Sequence, residues 1–216
     1  MTIKEKENIL FDKLGKENPA IVEDGIVDEN EYLSSKYKIL YVMKEVNSSE
    51  AWDLRKFLYD GGRPQTWDNI ARWTQGILNL DKEYSWEELS KNNEERRKTD
   101  LKKIGSINLK KTGGGYTSKI KEISKAAREN KAIIKNQIEI YKPDIIICCG
   151  TAGDLLNSVL EPKEINWSMT QRGVEYIKDG QKLIISYSHP EARIRDAYLY
   201  YPLIDAVREI LGEDRR

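Results

Sequence analysis

The chain has 216 residues, of which 39% are hydrophobic, and its 36 Lys plus Arg are balanced by 36 Asp plus Glu. That length supports one α/β domain with a substantial core, and the charge balance excludes a whole-molecule field that would draw the protein onto nucleic acid or anionic lipid, so any such binding must come from a local patch. No apolar run approaches the roughly 18–20 residues of a membrane span, and the first residues lack the apolar core of a signal peptide, so the expectation is a cytoplasmic protein without membrane contact.

In chain order, residues 1–35 are acidic and read as an N-terminal extension of a single domain spanning 1–216. Four short apolar runs follow: KILYVM at 38–43, IGSINL at 104–109, DIIICC at 144–149 and KLIISY at 182–187, each bounded by turn formers. Near-continuous apolar strands are what a parallel sheet covered on both faces requires. Between the first two runs, 48–60 and 66–80 carry apolar residues at helical spacing, among them Leu54, Phe57 and Leu58, then Trp67, Ile70, Trp73 and Ile77. After the second run, 117–142 places Ile120, Ile123, Ala127, Ile134 and Ile138 on one side of a helix, and 196–212 forms a last amphipathic helix, interrupted or started late at Pro202. Asp179 and Gly180 mark a hairpin turn. Cys148 and Cys149 are adjacent, with no metal-ligand spacing and no route to an ordinary mutual disulfide, so they read as reduced core residues. The predicted architecture is a three-layer α/β/α sandwich around a mostly parallel four-stranded sheet.

In such a sheet functional groups gather at the carboxyl ends of the strands. The first run ends on Lys44, Glu45 and Asn47, the second on Asn108 and the loop Lys110-Lys111-Thr112-Gly113-Gly114, the third on Gly150, the fourth on Ser188, His189, Pro190 and Arg193. His189 is the one histidine of the chain. A carboxylate, an amide, a small-residue helix start and an imidazole therefore converge on one edge.

This order of motifs, with KPDIIICCG and SHPEAR as its strongest pieces, resembles the uracil-DNA glycosylase superfamily over about residues 38–193. The family's first strand carries a Gly-x-Asp/Asn-Pro type motif and its last carries His-Pro-Ser. Here Met43 replaces the usual Gly, Val46 stands where Pro is common, and Glu191 replaces Ser; the iron–sulfur cysteines of one branch are missing. In either register of the first motif, Glu45 is the matching acid.

The resemblance implies hydrolysis of an N-glycosidic bond, which builds positive charge on the sugar and negative charge on the departing base. Glu45 would stabilise the cation and orient water, and His189 would donate an uncharged hydrogen bond to the leaving base. Pro190, with its fixed φ, would hold the imidazole at the strand end. Asn108 would read the edge of a flipped pyrimidine, assisted by Asn47. Trp52, Tyr59 and Trp67 are unranked candidates for stacking on the base, Trp52 being assigned to the base site. Each residue also has an ordinary structural alternative: a surface pair with Lys44 for Glu45, a strand cap for His189, backbone satisfaction for Asn108.

Residues 101–142 hold eleven basic and three acidic side chains. A DNA path would run over Lys44, Lys110, Lys111, Gly113, Gly114, Ser188, Arg193 and the flexible loop at Arg63, although a solvated helix face explains much of this charge equally well. The resulting expectation is a monomeric, monofunctional DNA glycosylase that needs no metal or organic cofactor. It would release uracil or a modified pyrimidine, in base-excision repair or in defence against phage DNA with modified (for example glucosylated hydroxymethyl) cytosine. The alternatives are a non-catalytic nucleic-acid-binding protein of glycosylase fold and a nucleoside or nucleotide N-glycosidase.

Overall fold

The computed structural model describes residues 1–212 except Pro19, Ser49, Tyr116 and Lys163. The chain runs through α1 (Ile3–Glu17), β1 (Val22–Glu23), β2 (Gly25–Ile26), α2 (Glu29–Ser34), β3 (Ile39–Met43), β4 (Trp52–Asp53), α3 (Leu54–Tyr59), α4 (Pro64–Leu78), α5 (Trp86–Ser90), α6 (Asn93–Asp100) and β5 (Ile104–Asn108). It continues through α7 (Ile120–Glu129), α8 (Lys131–Tyr141), β6 (Ile145–Cys149) and α9 (Ala152–Asp154), which passes into a π-helix at Leu155–Leu160. β7 (Ser168–Met169), β8 (Glu175–Asp179), β9 (Lys182–Tyr187) and α10 (Asp196–Leu211) complete it.

The four apolar runs become the parallel centre β5-β3-β6-β9. Among the described residues the sheet has seven strands rather than four, because β2 joins antiparallel beside β5 while β8 and β7 extend the other side antiparallel. These additions are short or half exposed, so they lack the continuous apolar signature of the central strands. The β8–β9 hairpin turns where expected, with Asp179 opposite Lys182 and Gly180 at φ +62°.

Each central strand is buried on both faces. Ile39, Tyr41 and Met43 pack with Trp73, Ile77, Leu203 and Val207 from α4 and α10, whereas Leu40 and Val42 pack with Ile123, Ala127, Ile134 and Ile138 from α7 and α8. The period-2 alternation of side chains thus divides one strand between two cores. Cys148 and Cys149 follow it, one to each core, as free thiols, and burial pushes the Cys148 thiol up to about 12.

Three sequence expectations change. Residues 1–35 are built into the domain rather than appended to it: α1 packs Phe11 and Leu14 against Ile21, β2 enters the sheet, and Glu7 and Asp24 are buried. The helix expected over 117–142 breaks at Asn130 into α7 and α8, leaving Ile120 exposed. Finally, α10 runs unbroken through Pro202, because Leu199, Tyr200, Leu203 and Ile204 on either side are buried and their packing outweighs the missing N–H bond. Among the described residues no helix is long and apolar enough to cross a membrane.

Candidate active site

Strand register places the site. Met43 pairs with Asn108, Val42 with Cys148 and Cys149 with Tyr187, so β5, β3, β6 and β9 all end on one edge. From β3 the chain crosses first to β5 on one side and later to β6 on the other, the reversal of winding at which open α/β sheets form a crevice. A cavity of about 210 Å³ opens there, and Glu45, Asn47, Trp52, Arg63, Asn108 and His189 all line it. It is smaller than the ~300–1,000 Å³ of drug-sized ligand sites and suits one planar ring.

His189 stands at the cavity on a pinned turn. Asn69 donates through Nδ2 to the Pro190 carbonyl at 2.9 Å and to Asp196 at 3.0 Å, Arg72 donates to both Asn69 and Asp196, and the Ala192 N–H donates to the His189 carbonyl at 2.9 Å. The Glu191 N–H donates to His189 Nδ1 at 3.1 Å. An Nδ1 that accepts must be unprotonated, which leaves the ring proton on Nε2. Burial holds the imidazole below its ordinary 6.5, as do Lys44 and Arg63, against the opposing charge of Glu191. At neutral pH the ring is therefore an uncharged Nε2–H donor.

Glu45 is enclosed, its side chain 5% exposed, and Oε2 accepts from Lys110 Nζ at 2.7 Å. Two glycines permit this arrangement: a Cβ on Gly114 would lie 1.9 Å from Glu45 Oε2, and one on Gly113 would lie 1.9 Å from the Ser48 carbonyl oxygen. The loop following β5 is zipped to the loop following β3 by Lys110 N–H to Lys44 O at 3.0 Å and Gly114 N–H to Val46 O at 2.8 Å. These glycines thus serve a close approach of two loops.

Asn108 is 2% exposed, and its amide sits over Asp24. Asp24 Oδ2 accepts from the Asn108 backbone N–H at 2.7 Å and from its Nδ2 at 3.4 Å, while Lys111 Nζ donates to both carboxylate oxygens at 2.8 and 3.0 Å. Gln137 Nε2 donates to Oδ1 at 2.9 Å. Lys111 is therefore a buried counter-charge, 1% exposed, and the expectation that it touches DNA phosphate is corrected: its ammonium lies in the protein interior because Asp24 requires it there. Lys110 likewise turns toward Glu45.

The remaining candidates separate cleanly. Trp52 and Trp67 line the cavity, Trp52 edge-on to Phe57 at 5.1 Å with its Nε1–H unpartnered among the described residues. Tyr59 lies outside it, under the Lys102 ammonium at 4.0 Å. Lys44 approaches Gly150, Asn47 lines the cavity, and Ser188 and Arg193 are exposed on either side of the His189 turn in the chain. Sequence reasoning missed the role of Glu191, which accepts from Thr66 and, at 2.9 Å, from Arg63 on the cavity wall; its signal was its place two residues after His189. Asp24 left no such signal, being 84 positions from Asn108.

No protein-family model matches the chain, and no curated protein matches its sequence significantly. Among the described residues there is no cluster of three or more His, Cys, Asp or Glu side chains with which to hold a metal ion.

Proposed function

We propose that the protein is a monofunctional DNA base glycosylase of the uracil-DNA glycosylase type, which accepts a flipped pyrimidine-like base in this cavity and hydrolyses its N-glycosidic bond. The observation that carries the reading is the convergence of Glu45, Asn108 and an uncharged Nε2–H of His189 on one ring-sized cavity. A neutral donor stabilises a departing base anion without first surrendering a proton, and such pre-aimed donors are worth ~3–4 kcal/mol. Glu45 supplies negative charge opposite the developing sugar cation. The Lys110 ammonium offsets part of that charge in the resting site, so substrate entry would draw Lys110 toward a phosphate and release the carboxylate to the sugar. Trp52 and Trp67 offer apolar ring faces, and the exposed Arg193 and Ser188 would contact the backbone.

A second reading has its own observation. Lys110 and Lys111, the sharpest part of the basic segment, are committed to Glu45 and Asp24, which favours a nucleoside or nucleotide N-glycosidase that needs no polymer path. One experiment separates them: the chain is incubated with single- and double-stranded oligonucleotides bearing uracil, a mismatched thymine or glucosylated hydroxymethylcytosine, and in parallel with free deoxynucleosides and deoxynucleotides. Mass spectrometry detects the released base and alkali reveals the abasic site. Release from oligonucleotides alone supports the glycosylase, release from monomers alone supports the second reading, and no release from either removes both.

A further inference from the structure

We propose that Asp24 is the positioning residue of this site: held by Lys111 and Gln137, it fixes which end of the Asn108 amide faces the cavity. The inference rests on the glycosylase reading for its substrate consequence, though not for its geometry.

Every contact that Asp24 makes here is with a donor. Lys111 Nζ reaches both carboxylate oxygens, Gln137 Nε2 reaches Oδ1 at 2.9 Å, and the Asn108 backbone N–H and Nδ2 reach Oδ2 at 2.7 and 3.4 Å. Gln137 is itself held, since its Oε1 accepts from Lys111 Nζ at 2.6 Å and its Nε2 donates to Tyr141 Oη at 3.0 Å. The carboxylate is thus an acceptor locked on three sides. An Asn amide can ordinarily flip by 180° to suit its ligand. Here a flip would set the Asn108 oxygen against Asp24 Oδ2, two acceptors face to face at residues 2% and 0% exposed.

Asn108 Nδ2 therefore belongs to Asp24, which leaves Oδ1 as the amide atom for a ligand in the cavity that Asn108 lines. An acceptor on that wall demands a donor on the ligand. With His189 offering Nε2–H across the cavity, the favoured ring carries a carbonyl acceptor beside a ring N–H, the pattern of uracil and of 5-substituted uracils. The ring nitrogen of cytosine at that position is an acceptor and would meet Oδ1 unfavourably. A buried mismatch of this kind is the type of contact that polar sites reject strongly.

The test compares wild type with Asp24→Asn, which keeps shape and removes the fixed polarity, and with the double variant Asp24→Asn with Lys111→Met, which also removes the stranded ammonium. Single-turnover release of uracil and of cytosine is measured from otherwise identical oligonucleotides, with thermal melts to confirm folding. The expected result is a fall in the uracil-to-cytosine ratio of about tenfold or more, the value of one directional hydrogen bond to a charged group, in whichever variant remains folded. A folded variant whose absolute rate changes while its ratio stays within twofold of wild type would overturn the proposal and make Asp24 merely structural. Independently of catalysis, the side-chain amide of Asn108 in a ¹⁵N-Asn spectrum should show one proton protected from exchange in wild type and neither protected in Asp24→Asn. Protection unchanged by the substitution would refute the lock. Should wild type release no base at all, the glycosylase reading and its selectivity fail, and the amide spectrum alone decides the positioning role.

Discussion

Replacing Lys111 by Met tests the most consequential departure from the surface role its sequence suggested. The side chains of Lys111 and Asp24 are 1% and 0% exposed, with Nζ 2.8 Å from Oδ1. Met preserves most of the stem and its packing, so the main loss is the counter-charge. Removing one partner of a buried pair costs ~3–5 kcal/mol, because the other charge stays behind in low dielectric. In a domain of this size each kcal/mol moves Tm by roughly 2–4 °C, which gives an expected fall of about 6–20 °C followed by far-UV circular dichroism. Adding Asp24→Asn to Lys111→Met removes the stranded charge and should recover a sizeable part of that fall. A single variant that melts within about 2 °C of wild type would refute the reasoning, and Lys111 would then have to reach solvent in solution.

Two further outcomes bear on the chemistry. Glu45→Gln keeps shape and removes charge, so it should fold, bind the cleavable oligonucleotide at least as well as wild type, and lose most of its single-turnover rate; cleavage near wild type would pass the role to another acid. For His189, the folded imidazole is held below 6.5 by burial, so the neutral donor persists to lower pH than in the unfolded chain. The stability this contributes is complete above 6.5 and is lost as pH falls through the folded value. Cleavage should therefore fall on acidification along a limb lying below 6.5, and His189→Ala should lower the rate about 10²–10³-fold at pH 7 and remove that limb. An unchanged limb in the variant would assign the titration to another group.

The central sheet was legible because its strands are buried on both faces: Ile145–Cys149 has every residue buried, and such a run has few other readings. Helix periodicity likewise found α4, where Ile70, Trp73 and Ile77 face the core. Of the edge strands only β8 was marked, by its hairpin turn at Asp179 and Gly180; β2 and β7, two residues long each, left no signal. The N-terminal segment misled through its charge. Glu7 and Asp24 look solvated in one dimension, yet Arg55 reaches Glu7 at 2.9 Å and Lys111 reaches Asp24 from 87 residues away. Pairing of this range leaves no local mark. At the site, strand ends identified Glu45, Asn108 and His189, while Asp24 and Asn69, which hold Asn108 and the His189 turn, come from elements whose approach depends on the completed fold.

The same long-range pairing bears on how a polymer would be held. In the basic stretch 101–142, Lys110 and Lys111 face inward, Lys102 lies over Tyr59, and Lys103, Lys119, Lys125 and Lys131 pair with Asp100, Glu122, Glu129 and Glu161. The exposed pairs are worth at most ~1 kcal/mol each and can exchange their carboxylate for a phosphate. The buried Lys111 cannot. Arg193 and Arg195, by contrast, are exposed on the turn that follows His189, and Ile194 between them is 52% exposed. Under the glycosylase reading, these two arginines would supply cationic contact within a few residues of the group that meets the base, beside exposed Lys121 and Arg128 of α7. Affinity would then depend on a short backbone span around the flipped nucleotide together with the phosphates that α7 reaches, and its salt dependence would report both.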